Sequence, residues 1–229
     1  MVEAAPVPPT AAIADAALRL GIDVVALSPR MRPVAPHAPV LGRAAPVTHL
    51  GSVDVILEAI DDAEPGDVLV VDNGGRLDEA CVGDLIVLEA REQGLSAAII
   101  WGLHRDTADL LELALPLHSL GAMPFGPRRV PPAGSAMRSA LVDGVPIGAD
   151  DWIAADADGV LVLRTGDPAA LLAEATRIAT VERAQSDRMR AGVSLRAQIG
   201  FADYRRRQAD DPTLTLRRHL AERGGAIET

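Results

Sequence analysis

Apolar positions along this chain fall into two patterns. Unbroken apolar runs stand at Val68 to Val71 and at Ala97 to Trp101; the first is bounded by Gly66-Asp67 and Asp72-Asn73-Gly74-Gly75, and the second ends at Gly102. Short runs without polar alternation predict strands buried on both faces. Between them, Asp84 to Gln93 has helical spacing, with Leu85, Ile86, Leu88 and Ala90 as its apolar face. Asp84 suits the positive end of the helix dipole and Gly94 is a natural stop. Gly66 to Asp109 thus predicts one βαβ unit. A ten-residue helix rises about 15 Å and a five-residue strand covers about 16 Å, so the return strand ends level with the helix start. The turn Asp72 to Gly75, the helix start at Gly83, Asp84 and Leu85, and the loop Gly102 to Asp106 should meet at one sheet edge. Ligands of open α/β sheets collect at that edge.

The flanking pattern predicts support for this unit. Thr10 is placed to cap a helix over Ala11 to Leu20, stopped by Gly21. Ile22 to Pro46 is Pro-rich and aperiodic, which predicts extended segments and turns. Ser52 would cap Val53 to Ala63, with Val53, Ile56, Leu57 and Ile60 facing inward. Thr107 to Leu115 predicts a short helix ended by Pro116, and Leu117 to Pro132 is a Gly/Pro-rich stretch whose Arg128-Arg129 pair is expected to be solvated or at a subunit contact. Strand signals at Ala140 to Val142, Trp152 to Ala155 and Gly159 to Leu163 suggest a second, partly antiparallel layer. Pro168 opens a helix over Ala169 to Arg190, and a second helical stretch runs from Leu195 to Glu222 with a break near Asp211-Pro212. The expected organisation is one domain over residues 1–229, with a loose arm at 1–9 and a helical region at 168–229.

Composition narrows the chemistry. A chain of 229 residues with 48% hydrophobic content and a net charge of −10 reads as an acidic globule, and nothing in it recommends a nucleic-acid partner. The basic run Tyr204 to Arg207 is read as a solvated or subunit-contacting helix face. No apolar run is long enough for a membrane span, and the first residues lack the pattern of a secretory signal, so a cytoplasmic location is expected. The lone Cys81 cannot form an internal disulfide, and no motif marks it as a nucleophile. All 22 basic residues are arginine. A lysine Schiff base, pyridoxal phosphate attachment and a P-loop lysine are therefore excluded. Any carbon–carbon lyase built on this chain must stabilise its enolate with a metal. The sequence also contains no GxSxG, GxGxxG or HExxH, and its five histidines are scattered. Only His104 adjoins the predicted site, as a loop residue turned to solvent or a neighbour.

At the predicted edge, a helix start offers free N–H groups that favour anions, beside the carboxylates of Asp84 and Asp106 and the guanidinium of Arg105. These groups suit a divalent cation held together with a carboxylate substrate. Asp109 is either a further acid near the cation or a helix N-terminal charge.

Asp84, twenty intervening residues, then Arg105-Asp106, with Gly102 three residues before the arginine, resembles the signature of the RraA-like family. That family contains regulators of ribonuclease E activity and class II 4-hydroxy-4-methyl-2-oxoglutarate aldolases. Pro9 to Gly21, the strand and turn GDVLVVDNGG, and Gly144 to Val160 resemble family segments in the same order. The resemblance implies an α/β fold of the compact β/β/α swivelling type, assembled as a trimer or hexamer with sites between subunits. It implies a metal-dependent lyase that cleaves 4-hydroxy-2-keto acids, or decarboxylates oxaloacetate, through a pyruvate enolate. Asp106 would contact Mg²⁺ or Mn²⁺ directly and Asp84 through water. Arg105 would bind the keto acid, the backbone at Gly83, Asp84 and Leu85 would receive its carboxylate, and Glu182 of a neighbouring subunit would add an acid. The family's other implied role is non-catalytic binding to the RNA degradation machinery. Two departures bear on the pocket: His104 stands where smaller or apolar residues are common, and Ala149-Asp150-Asp151 replaces the usual Pro-Gly-Asp turn.

Overall fold

A computed structural model describes residues 6–129 and 138–223. Its centre is four parallel strands, β3 (Val40–Thr48), β4 (Val68–Asp72), β6 (Ala97–Trp101) and β8 (Leu117–Ser119), joined by helical crossovers. The crossovers are α2 (Asp54–Asp61), α3 (Asp84–Glu92) and α4 (Thr107–Leu113). β1 (Val24–Ala26), β2 (Arg32–Pro33), β11 (Trp152–Asp156) and β12 (Gly159–Leu163) complete an eight-stranded mixed sheet in the order β1-β12-β11-β3-β4-β6-β8-β2. Two ribbons lie outside it: β5 (Ala80–Val82) with β7 (Leu103–His104), and β9 (Ala140–Val142) with β10 (Val145–Ile147).

The central strands are buried on both faces, as their unbroken apolar runs require. Side chains alternate between two cores. Leu69, Val71, Ala98 and Ile100 pack beneath the crossover helices, while Val68, Val70, Ala97 and Ile99 pack with β9, β10 and β12. A third core joins α1 (Thr10–Leu20) and α5 (Ala169–Arg190) under β11 and β12. The C-terminal region is helical, ending in α6 (Leu195–Gln198), α7 (Phe201–Asp210) and α8 (Leu216–Glu222). The expected second stretch is thus three helices, broken at Ile199-Gly200 as well as after Asp210, where Gly200 takes a left-handed conformation. Among the described residues no helix is long and apolar enough to cross a membrane.

Several local expectations need correction. β3 runs through Pro46, inside the segment expected to be irregular. The proline is tolerated because Ala44 N–H donates to Asp151 O, two residues earlier on the same side of the strand, while β11 pairs only with residues 40–43. Its missing donor faces a side where pairing has already ended. α2 begins at Asp54 with Val53 rather than Ser52 at the N-cap, and buries Val55, Ile56, Ala59 and Ile60; Val53 and Leu57 are exposed. α3 buries Val87 and Ala90, whereas Leu85 is 74% exposed. α4 stops at Leu113, two residues short of the expected end. Within the expected N-terminal arm, residues 1–5 lie outside the described residues and Pro8 is buried.

Thr10 does not cap its own helix. It is the first helical residue, and the cap comes from β11: Asp156 accepts from Thr10 N–H at 2.8 Å and from Thr10 Oγ1 at 2.7 Å. Asp158 N–H donates to the same carboxylate at 2.9 Å. Burial works to raise the Asp156 pKa, but these hydrogen bonds outweigh it and hold the carboxyl below the ordinary aspartate range. His118, fully buried, lies 2.9 Å through Nε2 from Asp156 O, and burial pushes its pKa from 6.5 down to about 4.

Two stability predictions follow from this packing. Asp156→Asn removes a charged acceptor shared by three donors and should lower unfolding free energy by about 1–3 kcal/mol at pH 7, read by urea denaturation. Because folded His118 stays neutral while the unfolded chain protonates near 6.5, stability should fall as pH drops from 6.5 towards 4, with a His118 share of about 3 kcal/mol. Burial lowers His49 and His104 in the same direction, so His118→Gln should flatten the pH slope only in part.

Candidate functional site

The site begins where the parallel strands end. Asp72 pairs level with Trp101, so both chains leave the sheet at the same edge. The exit from β4 is turned by Asp72, whose Oδ1 accepts from Gly74 N–H at 2.7 Å. The chain then forms β5, which pairs in parallel with β7 just beyond β6. This small ribbon extends the βαβ register past the sheet and delivers Gly83 beside Arg105, whose N–H donates to Val82 O at 3.0 Å.

α3 starts at Gly83 with no side-chain cap. The N–H groups of Asp84, Leu85 and Ile86 therefore lack intrahelical partners, and these residues line a cavity of about 200 Å³ shared with Arg105. Asp106 is the N-cap of α4, held in the left-handed region at φ 59°, ψ 41°, and its side chain does not cap that helix. Its carboxylate accepts from Arg105 Nε at 3.2 Å. A side chain at Gly83 would crowd the Asp106 carboxylate: its Cβ would stand 2.5 Å from Asp106 Oδ2. A non-glycine residue with positive φ at a cavity rim is strain of the sort that gathers at functional sites. The pair is half open, with Arg105 49% and Asp106 35% exposed.

The donor set is oxygen-rich and sparse. Among the described residues no group of three or more His, Cys, Asp or Glu could hold a metal. Two carboxylates with open rim space suit a cation of the Mg²⁺ type, which keeps several waters, better than a closed zinc site. Asp109 lies exposed in the first turn of α4, as a helix N-terminal charge. Cys81 contributes to the cavity wall but is buried, and burial pushes its thiol up to about 12, which leaves no thiolate for nucleophilic attack.

The structure separates the remaining predicted residues from this rim. His104 turns to neighbours rather than to solvent, and from a strand rather than a loop. It belongs to β7, is 5% exposed, and contacts Ser119 Oγ at 2.7 Å and Thr107 Oγ1 at 3.1 Å. Strand alternation turns it inward while Arg105 turns out. The 149–151 turn lies near the start of β4, since Asp151 O bonds Ala44, which pairs with Val68; it sits at the opposite sheet edge from Asp72 and the site. Asp151 is tied there to Arg164. Glu182 is exposed on α5, which packs on α1 and α6, so it does not reach the rim of its own chain.

One group was missed in the sequence. Glu79, Asn73, His49 and Arg129 form a buried polar cluster beneath the same edge: His49 Nδ1 and Arg129 Nη2 each lie 2.9 Å from Asn73 Oδ1, and Arg129 Nε donates to Glu79 at 3.1 Å. Hydrogen bonds from Arg129 hold the Glu79 carboxyl below the ordinary glutamate range. Arg129 is therefore paired with an internal carboxylate, with one third of its side chain still exposed, while Arg128 lies 4.5 Å from the centre of the Phe125 ring. The available signal was Glu79 itself, an acid leading directly into the apolar run Ala80-Cys81-Val82.

With that geometry in place, comparison with known proteins is informative. The family model described as "RraA-like: Aldolase/RraA" matches residues 10–162, more than half of the chain. The chain belongs to the RraA-like family. The protein from Halorhodospira halophila named "Putative 4-hydroxy-4-methyl-2-oxoglutarate aldolase" is 40% identical over 100 residues, covering 43% of this chain and 60% of that protein. The match thus spans under two thirds of that relative's length. A Burkholderia mallei protein of the same name is 35% identical over 138 residues, 59% of this chain and 82% of its own. Among solved structures, the RNA-processing inhibitor RraA from Thermus thermophilis aligns with a TM-score of 0.58 at 25% identity, covering 66% of this chain and 91% of that one. Members of this RraA-like family therefore carry both aldolase and regulator names.

The close approach at Gly83 yields a direct test. Gly83→Ala should leave the fold intact, because its φ of −133° suits any residue. It should displace the Asp106 carboxylate from its place beside Arg105 Nε, seen as loss of that contact in a structure of the variant.

Proposed function

We propose that this RraA-like protein is a divalent-metal-dependent lyase of the class II pyruvate aldolase type, acting on 4-hydroxy-2-keto acids and on oxaloacetate. The observation that carries the reading is the placement of Arg105 across one cavity from the uncapped start of α3, with Asp84 and Asp106 beside it. An anionic substrate carboxylate matches the free N–H groups of the helix start. The Arg105 guanidinium, five donors in a rigid fork, matches the 2-keto oxygen and the charge that develops on it. Asp106 directly, and Asp84 through water, would hold Mg²⁺ or Mn²⁺, which would supply Lewis-acid polarisation of a keto group. Asp84 would orient the water that takes the 4-hydroxyl proton. The C3–C4 bond then breaks, its electron pair passes towards the C2 oxygen that Arg105 faces, and protonation at C3 releases pyruvate.

The absence of lysine requires this division of labour, because no amine is present to form a Schiff base. A third acid from a neighbouring copy, Glu182, would complete the cation's surroundings in a trimer or hexamer. Glu182 is exposed and has no ion-pair partner among the described residues, which supports that assignment.

Purified protein should release pyruvate from oxaloacetate and from 4-hydroxy-4-methyl-2-oxoglutarate with Mg²⁺, and EDTA should abolish it. Arg105→Ala and Asp106→Ala should each lower kcat/KM by about 10²-fold or more. Well-folded protein that binds Mg²⁺ yet releases no pyruvate from either compound would overturn the lyase reading, in favour of the non-catalytic regulator role; the Thermus relative is named an RNA-processing inhibitor.

A further inference from the structure

Arg105 lies in a slot between two glycines. On one wall, a Cβ at Gly83 would stand 3.2 Å from Arg105 Nε and 3.3 Å from its Cγ. On the other, a Cβ at Gly126 would stand 2.9 Å from Nη1. The first wall is the start of a packed helix. The second belongs to an irregular segment, residues 121–129, with no helix or strand to stiffen it.

That segment is nevertheless tied at both ends. Before Gly126, Met123 N–H donates to His104 O at 2.8 Å, and Phe125 O accepts from Ala80 N–H at 2.7 Å. After Gly126 the only side chain that reaches into the buried cluster is Arg129, among the described residues. Its Nε and Nη2 both donate to Glu79 Oε1, and Nη2 also donates to Asn73 Oδ1. The Glu79 side chain is 5% exposed, so Arg129 is the principal neutraliser of a buried carboxylate, with Arg76 Nε further off at 3.4 Å. Room for the backbone at Arg129 comes from Gly51, where a Cβ would stand 2.8 Å from both Arg129 Cβ and its carbonyl oxygen. Because Arg129 can only donate, the Asn73 atom it meets must be the carbonyl oxygen, and His49 Nδ1 at 2.9 Å must carry the proton. The anchor therefore extends through three side chains into the sheet edge.

We propose that the Glu79–Arg129 pair is a positioning device for the site: it clamps residues 121–129 so that Gly126 backs the Arg105 guanidinium and sets its orientation for binding a keto acid. The inference rests on the lyase reading for its substrate, but not for the clamp itself. Neither Glu79 nor Arg129 touches the cavity rim, and the effect passes through Gly126. The guanidinium fork adds a second bond: Nη2 bridges Glu79 and Asn73 while Nε also donates to Glu79, and a single lysine amine cannot supply both nitrogens.

The test compares wild type with Glu79→Gln, Arg129→Ala and Arg129→Lys. Steady-state kinetics on oxaloacetate with Mg²⁺ are read beside hydrogen exchange at the amides of Ala80 and Met123, which report on the segment directly. Glu79→Gln and Arg129→Ala should raise KM by about tenfold, with a smaller change in kcat, and should speed exchange at both amides. Arg129→Lys, which keeps charge and loses the fork, should fall between them and wild type. Unchanged KM together with unchanged exchange overturns the proposal, as does a loss of rate that only follows the fraction of unfolded protein. If wild type shows no turnover, the lyase reading fails separately. The clamp is then judged by exchange alone: faster exchange sustains it and unchanged protection overturns it. Should Glu79→Gln not fold, Arg129→Lys carries the same comparison.

Discussion

The in-register parallel pairing of β4 with β6 is the constraint on which the site depends. It runs from Val68 opposite Ala97 to Asp72 opposite Trp101, so both strands end at one level and both chains emerge side by side. The β5–β7 ribbon continues this alignment beyond the sheet edge and converts it into contact between Gly83 and the Arg105-Asp106 pair. A slip of β6 by one residue would exchange its faces between the two cores, mispack both, and move Trp101 out of level with Asp72. The energy that holds the site in register is thus hydrophobic burial several residues away from it.

The rim itself is arranged for an anion on an acidic protein. Net charge is −10, and the rim sets an uncapped helix start and a guanidinium beside the carboxylates of Asp84 and Asp106, so both signs meet there. Asp106 accepts a strained backbone and leaves its own helix uncapped, which frees its carboxylate for the rim. The Glu79–Arg129–Asn73–His49 cluster beneath makes the opposite choice. Its carboxylate is buried and paired with Arg129, away from the cavity lining.

Much of this was legible before the fold was known. The apolar runs of β4 and β6, the intervening helix, and the convergence of Gly83, Asp84, Arg105 and Asp106 all follow from short-range periodicity and chain length. The inward face of α3 was misjudged because Leu85 is strongly apolar, yet it stands at the rim and is exposed. Thr10 looked like a cap because capping residues are judged by their neighbours, whereas its partner Asp156 lies 146 residues away. The β5–β7 ribbon is made of strands of three and two residues, too short for alternation to register. Arg129 resembled any surface arginine until Glu79 was seen to meet it across 50 residues.

By itself, then, the sequence determined the βαβ unit, the exclusion of lysine chemistry and the identity of the rim residues, because each is encoded in local spacing or in composition. Only the tertiary structure decided which glycines form the Arg105 slot, that His104 turns inward, that Asp156 caps α1, and that Glu79 neutralises Arg129. Those outcomes depend on contacts between distant segments, whose geometry is set by how the sheet buries its two faces. Local pattern carries no record of it.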